Sequence, residues 1–194
     1  MKPKQKPGAF TFFRQWLKNP LRTAAVAPSS AELASAMIAE LPDDARRVIE
    51  LGGGTGAITQ ALLEAGIEAD DLLVLELNEE LHAHLHAIFP KVRVVLGDAR
   101  SLMQLARDTG YLDAGPADAI VSGLGLLTMP HPLQRDILAA AFECLRADGL
   151  FVQFTYGPVA PVADAVALQL GLKVRRGDFV LRNVPPATVF VYSR

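Results

Sequence analysis

Residues 47–60, Arg-Val-Ile-Glu-Leu-Gly-Gly-Gly-Thr-Gly-Ala-Ile-Thr-Gln, constrain this chain more than any other stretch. Val48, Ile49 and Leu51 make a short apolar, β-prone run that breaks into Gly52, Gly53, Gly54 and Gly56. A helical pattern follows through Ala61, Leu62, Leu63 and Ala65. Strand, glycine turn and helix in that order open a nucleotide-binding α/β sheet. Glycines suit the turn because the chain must bend sharply and let a ligand touch bare backbone. Their spacing leaves the ligand open, since Gly52-x-Gly54-x-x-Ala57 also fits a relaxed dinucleotide fingerprint.

Two carboxylates narrow the choice. Glu76 closes a second apolar run, Leu72-Leu73-Val74-Leu75, and precedes Leu77. An acid there can hold the two ribose hydroxyls of a nucleoside, but a dehydrogenase places one near the same point. Glu50 discriminates better, because it lies directly before the glycines. A carboxylate repels a pyrophosphate and attracts a cationic sulfonium amino acid. Glu50-x-Gly52-x-Gly54-x-Gly56 with this downstream acid resembles the first motif of class I S-adenosylmethionine (SAM) methyltransferases; the plainer reading is a tight turn. The resemblance implies SAM as cofactor, S-adenosylhomocysteine as product, and a cofactor site drawn from Glu50, Gly52, Gly53, Gly54, Gly56, Glu76, Leu77, Asp98, Ala99, Ser122 and Gly123.

The bulk of the chain sets limits on what else it does. Its 194 residues suit one α/β domain, 51% of them hydrophobic and 21% charged. A net charge of −2 argues against a nucleic-acid partner. The single cysteine, Cys144, excludes a disulfide framework and fits a reducing compartment; it sits in an apolar helical stretch as a small core residue. No run approaches the roughly 18 apolar residues of a membrane-spanning helix. The N-terminus is too interrupted and too aromatic for a secretory signal. These features predict a cytoplasmic location, or a peripheral one on the inner face of the cell membrane, with no obligate protein partner.

The N-terminal segment has a different character. Lys2, Lys4, Lys6, Arg14, Lys18 and Arg22 are basic, and no acid appears before Glu32. A helix is expected from Gly8 to Lys18, stopped by Pro20. Steps of about 100° per residue gather Phe10, Phe12, Phe13, Trp16 and Leu17 on one side and Thr11, Arg14, Gln15 and Lys18 on the other. A basic helix with an aromatic face suits the membrane interface, although surface helices usually dock such a face on their own domain. The reading divides the chain into an N-terminal extension, residues 1–40, and a cofactor-binding domain, residues 41–194.

Ser30 is the expected N-cap of a helix whose Leu33, Ala34, Met37, Ile38 and Leu41 form its buried face. A helix is expected from Glu79 to Phe89; its His82 and His84, like His84 and His86, point about 200° apart, so the three do not converge on a metal. No metal is expected. Val92–Leu96 reads as a third strand running into Asp98-Ala99, where an acid suits an adenine amino group or an N-cap, or both. Ala117–Val121 is the fourth strand, and its Ser122-Gly123-Leu124-Gly125 loop is placed on the rim of the first glycine turn. A helix from His131 to Leu145, a strand over Gly149–Phe154, a helix over 161–170 and strands over about 172–182 and 187–193 complete the pattern. Strands alternating with helices, closed by a β-hairpin, predict a Rossmann-like seven-stranded mixed sheet with helices on both faces.

More particular stretches lie outside the glycine turn. Trp16-Leu17-Lys18-Asn19-Pro20, Thr23–Ser30, Ser122-Gly123-Leu124, Gln153–Pro158 and Arg182-Asn183-Val184-Pro185-Pro186-Ala187 resemble the soluble bacterial phospholipid N-methyltransferases, from about Phe10 to the C-terminus. The resemblance implies SAM-dependent methylation of phosphatidylethanolamine, in up to three steps toward phosphatidylcholine, on anionic cytoplasmic membrane. It implies lipid contacts by Trp16, Lys18, Arg22, Ser30 and Leu124. Gly53 and Gly125 each stand where the family is expected to carry proline, the first harmlessly, the second in the substrate loop.

Candidate reaction groups follow. Tyr156, at the active rim, is the first candidate to orient the amine or help deprotonate it; the plainer role is a tyrosine closing the cofactor pocket. His131 titrates in the useful range but begins a helix as part of Pro-His-Pro. Arg182 and Asn183 are candidates to hold a lipid phosphate, against a plain surface hairpin. An RNA adenine methyltransferase shares the Glu-x-Gly-x-Gly-x-Gly unit, but its usual Asn-Leu/Ile-Pro-aromatic loop is replaced here by Ser122-Gly123-Leu124-Gly125. The same residues are also compatible with a small-molecule methyltransferase and with a non-catalytic SAM- or lipid-binding module.

Overall fold

The computed structural model describes residues 30–194. Seven strands form one sheet in the order β3-β2-β1-β4-β5-β7-β6. The strands are β1 (Val48–Leu51), β2 (Leu72–Glu76), β3 (Arg93–Leu96), β4 (Ala117–Ser122), β5 (Leu145–Tyr156), β6 (Lys173–Val180) and β7 (Ala187–Ser193). The first five run parallel, and β7 inserts antiparallel between β5 and β6. β6 therefore points the same way as β5, and the turn between β6 and β7 reaches the rim where the parallel strands end.

Side-chain alternation sends each strand's residues into two cores. On one face Val48, Leu72, Val74, Val121, Val152 and Val189 pack under α1 (Ala31–Ile38), α2 (Ala57–Glu64) and α3 (Glu79–Ile88). On the other, Ile49, Leu51, Leu73, Ile120, Phe151 and Phe190 pack under α4 (Leu102–Asp108), α5 (His131–Cys144) and α6 (Asp164–Gln169). Both faces are covered, so β1 and β2 are buried at every position and are apolar apart from Glu50 and Glu76. The Rossmann-like architecture expected from the sequence is the one observed.

Two element starts differ from expectation by three residues or more. β5 begins at Leu145 rather than Gly149, because buried Leu145 pairs with Ala117 before the ladder shifts register and resumes at Leu150. α6 starts only at Asp164: Pro161 has no N–H to give, and Val162 is buried in the core with Ile137 and Phe151. The expected Gly8–Lys18 helix, with Trp16, Lys18 and Arg22, lies outside the described residues. Among the described residues no helix is long and apolar enough to cross a membrane.

The edge opposite the rim is fastened by charge. The guanidinium of Arg47 donates to Asp71 at 2.9 Å and to the Tyr111 carbonyl, and lies 4.5 Å over the Tyr111 ring. Arg146 reaches Asp44 at 2.8 Å and Asp118 at 3.0 Å.

At the rim, Ser30 caps α1 by accepting from Leu33 N at 3.1 Å, while its own N–H donates to Asn183 Oδ1 at 3.0 Å. Asn183 Nδ2 donates to the Pro185 carbonyl at 2.7 Å, so one buried amide ties the start of α1 to the β6–β7 turn. Replacing Asn183 with alanine is expected to lower stability by about 1–3 kcal/mol, as a buried amide's two bonds are lost. Urea unfolding measures this, and an unchanged midpoint would contradict the tie.

Candidate cofactor and substrate site

The loops that follow β1, β2 and β4 meet on the rim. Gly52, Gly54 and Gly56 all take positive φ, the last at +87° as the residue before α2. A Cβ on Gly56 would also come within 2.6 Å of the Phe89 ring, so both conformation and space require glycine there. Gly53 is closely packed: a Cβ would lie 2.5 Å from Val74 Cγ1 and 2.8 Å from Leu85 Cδ1, so a larger residue there would shift those side chains. The loop after β4 crosses close beneath. Gly123 N donates to the Leu51 carbonyl at 2.8 Å, and a Cβ on Gly123 would stand 3.0 Å from the Gly52 carbonyl oxygen. The two loops are packed backbone to backbone.

Glu76 organises the loops. Its Oε2 accepts from Gly54 N at 2.9 Å, and its Oε1 accepts from Leu77 N and Asn78 N, each at 2.8 Å. Asn78 in turn caps α3 by accepting from Leu81 N at 3.0 Å. Oε2 keeps a lone pair for one more donor, and Leu77 stands out from the rim, 68% exposed.

Glu50 lies on the α2 face of the sheet and is fully buried. Register sets it beside Val74, so Glu50 and Glu76 share that face, two residues apart on neighbouring strands. Thr59 of α2 donates its hydroxyl to Glu50 Oε2 at 2.5 Å, while Glu50 Oε1 has no hydrogen-bond partner among the described residues. Burial raises the Glu50 carboxyl to about 8; the Thr59 hydrogen bond opposes the rise and the Glu76 charge adds to it. A buried acid with an unmatched oxygen beside the glycine loop is a site that a cationic group would complete. The glycine backbone, the Glu50 oxygen and the Glu76 carboxylate thus fit SAM, with its cationic amino-acid end and its ribose.

The other candidates stand in varied relation to this centre. Asp98 accepts from Arg100 N at 2.9 Å and grips the Arg100 guanidinium at 2.6 Å, which lowers its carboxyl, and it caps the short 3₁₀ turn Ala99–Ser101 rather than α4. Buried Ser122 accepts from Leu124 N at 3.3 Å. Tyr156 ends β5, edge-on to Phe154 with ring centres 5.4 Å apart, and burial pushes its phenol above the ordinary range. It stays protonated at neutral pH and is suited to orienting an amine rather than taking its proton. His131 is exposed at the first residue of α5, and Arg182 is exposed in the β6–β7 turn.

Two supporting residues emerge only from the structure. Thr59 reads in the sequence as part of an amphipathic helix, yet it holds the buried acid. Gln153 stands in the sequence only as part of a family-like stretch; fully buried, its Nε2 donates to the Leu124 and Phe154 carbonyls, each at 2.8 Å, and its Oε1 is unmatched among the described residues. A glutamine between Val152 and Phe154, inside a buried strand, is the available clue.

Comparison with known proteins places this geometry. A family described as a methyltransferase domain matches residues 48–149. An ornithine lipid N-methyltransferase of Singulisphaera acidiphila is 33% identical over 153 residues, 77% of this chain and 78% of the relative. Among solved structures, a TehB-like SAM-dependent methyltransferase from Corynebacterium glutamicum covers 97% of this chain, all of its own length aligned, with TM-score 0.63 and 22% identity. The glycopeptide N-methyltransferase MtfA in complex with SAM covers 87% of this chain and 95% of its own, with TM-score 0.64 and 16% identity. At those identities the structures show shared fold.

Glu50 gives a prediction with a definite sign. Its carboxyl is raised from 4.5 to about 8, so its stabilising contribution is full below pH 4.5 and is lost as pH rises through 8. Cofactor-free protein should lose stability across that range, and Glu50→Gln should flatten the loss. A cation held against Glu50 favours the ionised form, so SAM binding near pH 7 should release close to one proton. Calorimetry in buffers of different ionisation enthalpy reads this directly; no proton release in the wild type would contradict the assignment.

Proposed function

The chain belongs to the class I SAM-dependent methyltransferases, and from that premise we propose that it methylates the amine of a membrane lipid headgroup, with phosphatidylethanolamine and its mono- and dimethylated forms as acceptors. One observation carries the lipid reading: a relative named as an ornithine lipid N-methyltransferase aligns over most of both chains. The proposed setting is the inner face of the cytoplasmic membrane, with anionic lipid as partner. That relative also favours a second acceptor, the amine of an ornithine headgroup.

When bound, SAM supplies an electrophilic methyl group that an amine accepts by in-line displacement. The protein's work is positioning and exclusion of water. Gly52–Gly56 and Glu50 would hold the amino-acid end of SAM, and Glu76 would hold its ribose. The Ser122-Gly123-Leu124 loop, braced by Gln153 and by the Gly52 backbone, sets the floor where donor and acceptor meet.

An ethanolamine headgroup is an ammonium at neutral pH and must lose a proton before it attacks. The Tyr156 hydroxyl, kept protonated by burial, accepts a hydrogen bond from the amine and aims its lone pair. The proton leaves to water at the open rim. The Tyr156 ring face also attracts a methylated ammonium, which retains partly methylated lipid for a further turn.

Purified protein with labelled SAM and vesicles of phosphatidylethanolamine plus an anionic lipid is expected to yield labelled mono-, di- and trimethylated lipid. Label only on ornithine lipid would move the assignment to the second acceptor. No labelled lipid of either kind, with SAM binding intact, would overturn the lipid reading and turn attention to soluble amines and RNA.

A further inference from the structure

Exposed apolar side chains are unevenly spread over this molecule. Of the ten large ones exposed among the described residues, seven lie near or beyond the C-terminal ends of strands, on the rim of the glycine loop. Single exposed apolar residues are ordinary; their concentration on one edge is not. Four of the seven gather at one corner: Val159 after β5, Phe179 near the end of β6, and Leu181 and Val184 in the β6–β7 turn. Pairing of Ala187 with both Tyr156 and Val180 sets the ends of β5 and β6 on either side of β7. Leu181 and Val184 are 71% and 74% exposed, so no described part of the chain covers them.

Between these elements opens a groove of about 450 Å³, walled by Tyr156, Pro158, Phe179, Pro185 and Pro186, with Arg176 as its charged residue. The corner is also basic. From Arg176 to Pro186, the stretch that reaches the corner, the chain carries Arg176 and Arg182 against Asp178 alone, within a protein of net charge −2. Glu40 engages Arg175 at 2.5 Å, while Arg176 and Arg182 have no ion-pair partner among the described residues.

We propose that the β6–β7 turn and the Tyr156–Pro158 loop form a surface that seats the enzyme on an anionic phospholipid bilayer. Leu181 and Val184 enter the boundary between headgroups and acyl chains. Arg176 and Arg182 meet lipid phosphates at headgroup depth, where basic residues gain most from an anionic surface. The groove beside Tyr156 then opens toward the lipid layer, so a headgroup reaches the rim without leaving the membrane. The inference rests on the lipid reading for its purpose, while its support is the position and charge of the corner itself. Charge favours a bilayer over a second copy of the chain, because a two-fold contact here would set Arg176 and Arg182 against their own equivalents.

The test uses full-length protein and vesicles of phosphatidylcholine with phosphatidylglycerol, which contain no aminolipid. Leu181→Asp/Val184→Asp should cut the vesicle-bound fraction about tenfold, given apolar insertion replaced by charge, with SAM affinity and thermal midpoint unchanged. Arg182→Gln should weaken binding less and reduce its salt dependence. Vesicle binding equal to wild type in the double variant would overturn the proposal. So would a joint loss of SAM affinity and midpoint, which would mean that the two side chains pack within the protein. A wild-type dimer that the variant turns into monomer, with vesicle binding intact, would give the surface to a second copy instead. If docking behaves as expected while aminolipid vesicles acquire no label, the acceptor assignment falls and the docking surface stands.

Discussion

The rim depends on the carboxylate of Glu76. It accepts three backbone N–H groups, one from the glycine loop and two from the turn into α3. Without an acid at the end of β2, Gly54 and the start of α3 would lose their common anchor. The glycine loop is pinned again from below, where Gly123 N reaches the Leu51 carbonyl. Three loops from three strands thus become one surface by backbone contact, and close contact of that kind leaves little room for a Cβ at Gly123. The opposite edge has no such economy of space. It is held by the long reach of Arg47 and Arg146 to acids, a carbonyl and a ring. Charged side chains fasten one edge and the candidate site lies at the other, as an open α/β sheet permits.

Much of this is legible in the residues. The Val48–Gln60 pattern marks the strand, turn and helix, and alternating strands and helices imply the sheet, because burial on both faces demands largely apolar strands. Glu50 and Glu76 stand out as acids at strand ends. Less legible is how they are held. Thr59, nine residues after Glu50, meets it only because α2 folds back over β1. The Ser30–Asn183 bond spans 153 positions, and no local pattern encodes such a pairing. The sequence suggests that Asn183 holds a phosphate; the fold commits both ends of its amide within the protein, leaving Arg182 as the exposed cation of the turn. Gly53, where the family resemblance expects proline, proves to pack closely against Val74 and Leu85, which the local sequence does not reveal.

The chemistry divides in the same way. Cofactor binding needs buried, fixed groups, and the fold supplies them on β1, β2 and the crossing loop from β4. Acceptor binding needs access, and the groups available for it are Leu124, Tyr156, Arg176 and Arg182, on loops and on the antiparallel strands at the sheet's far edge. The proposed lipid acceptor would reconcile the two, because its headgroup would enter the rim while its chains stayed in the bilayer. The exposed apolar corner and the buried acid of the cofactor site then serve one geometry.

The most direct test of this arrangement is a calorimetric titration of SAM into wild-type protein and into Glu76→Gln, with folding followed by circular dichroism. Glu76→Gln keeps the size of the side chain but removes its charge and one acceptor. The account predicts a folded protein whose affinity falls about 10- to 100-fold, the cost of weakening charged hydrogen bonds to the ribose. Equal affinity in a folded variant would place the cofactor elsewhere and contradict the site.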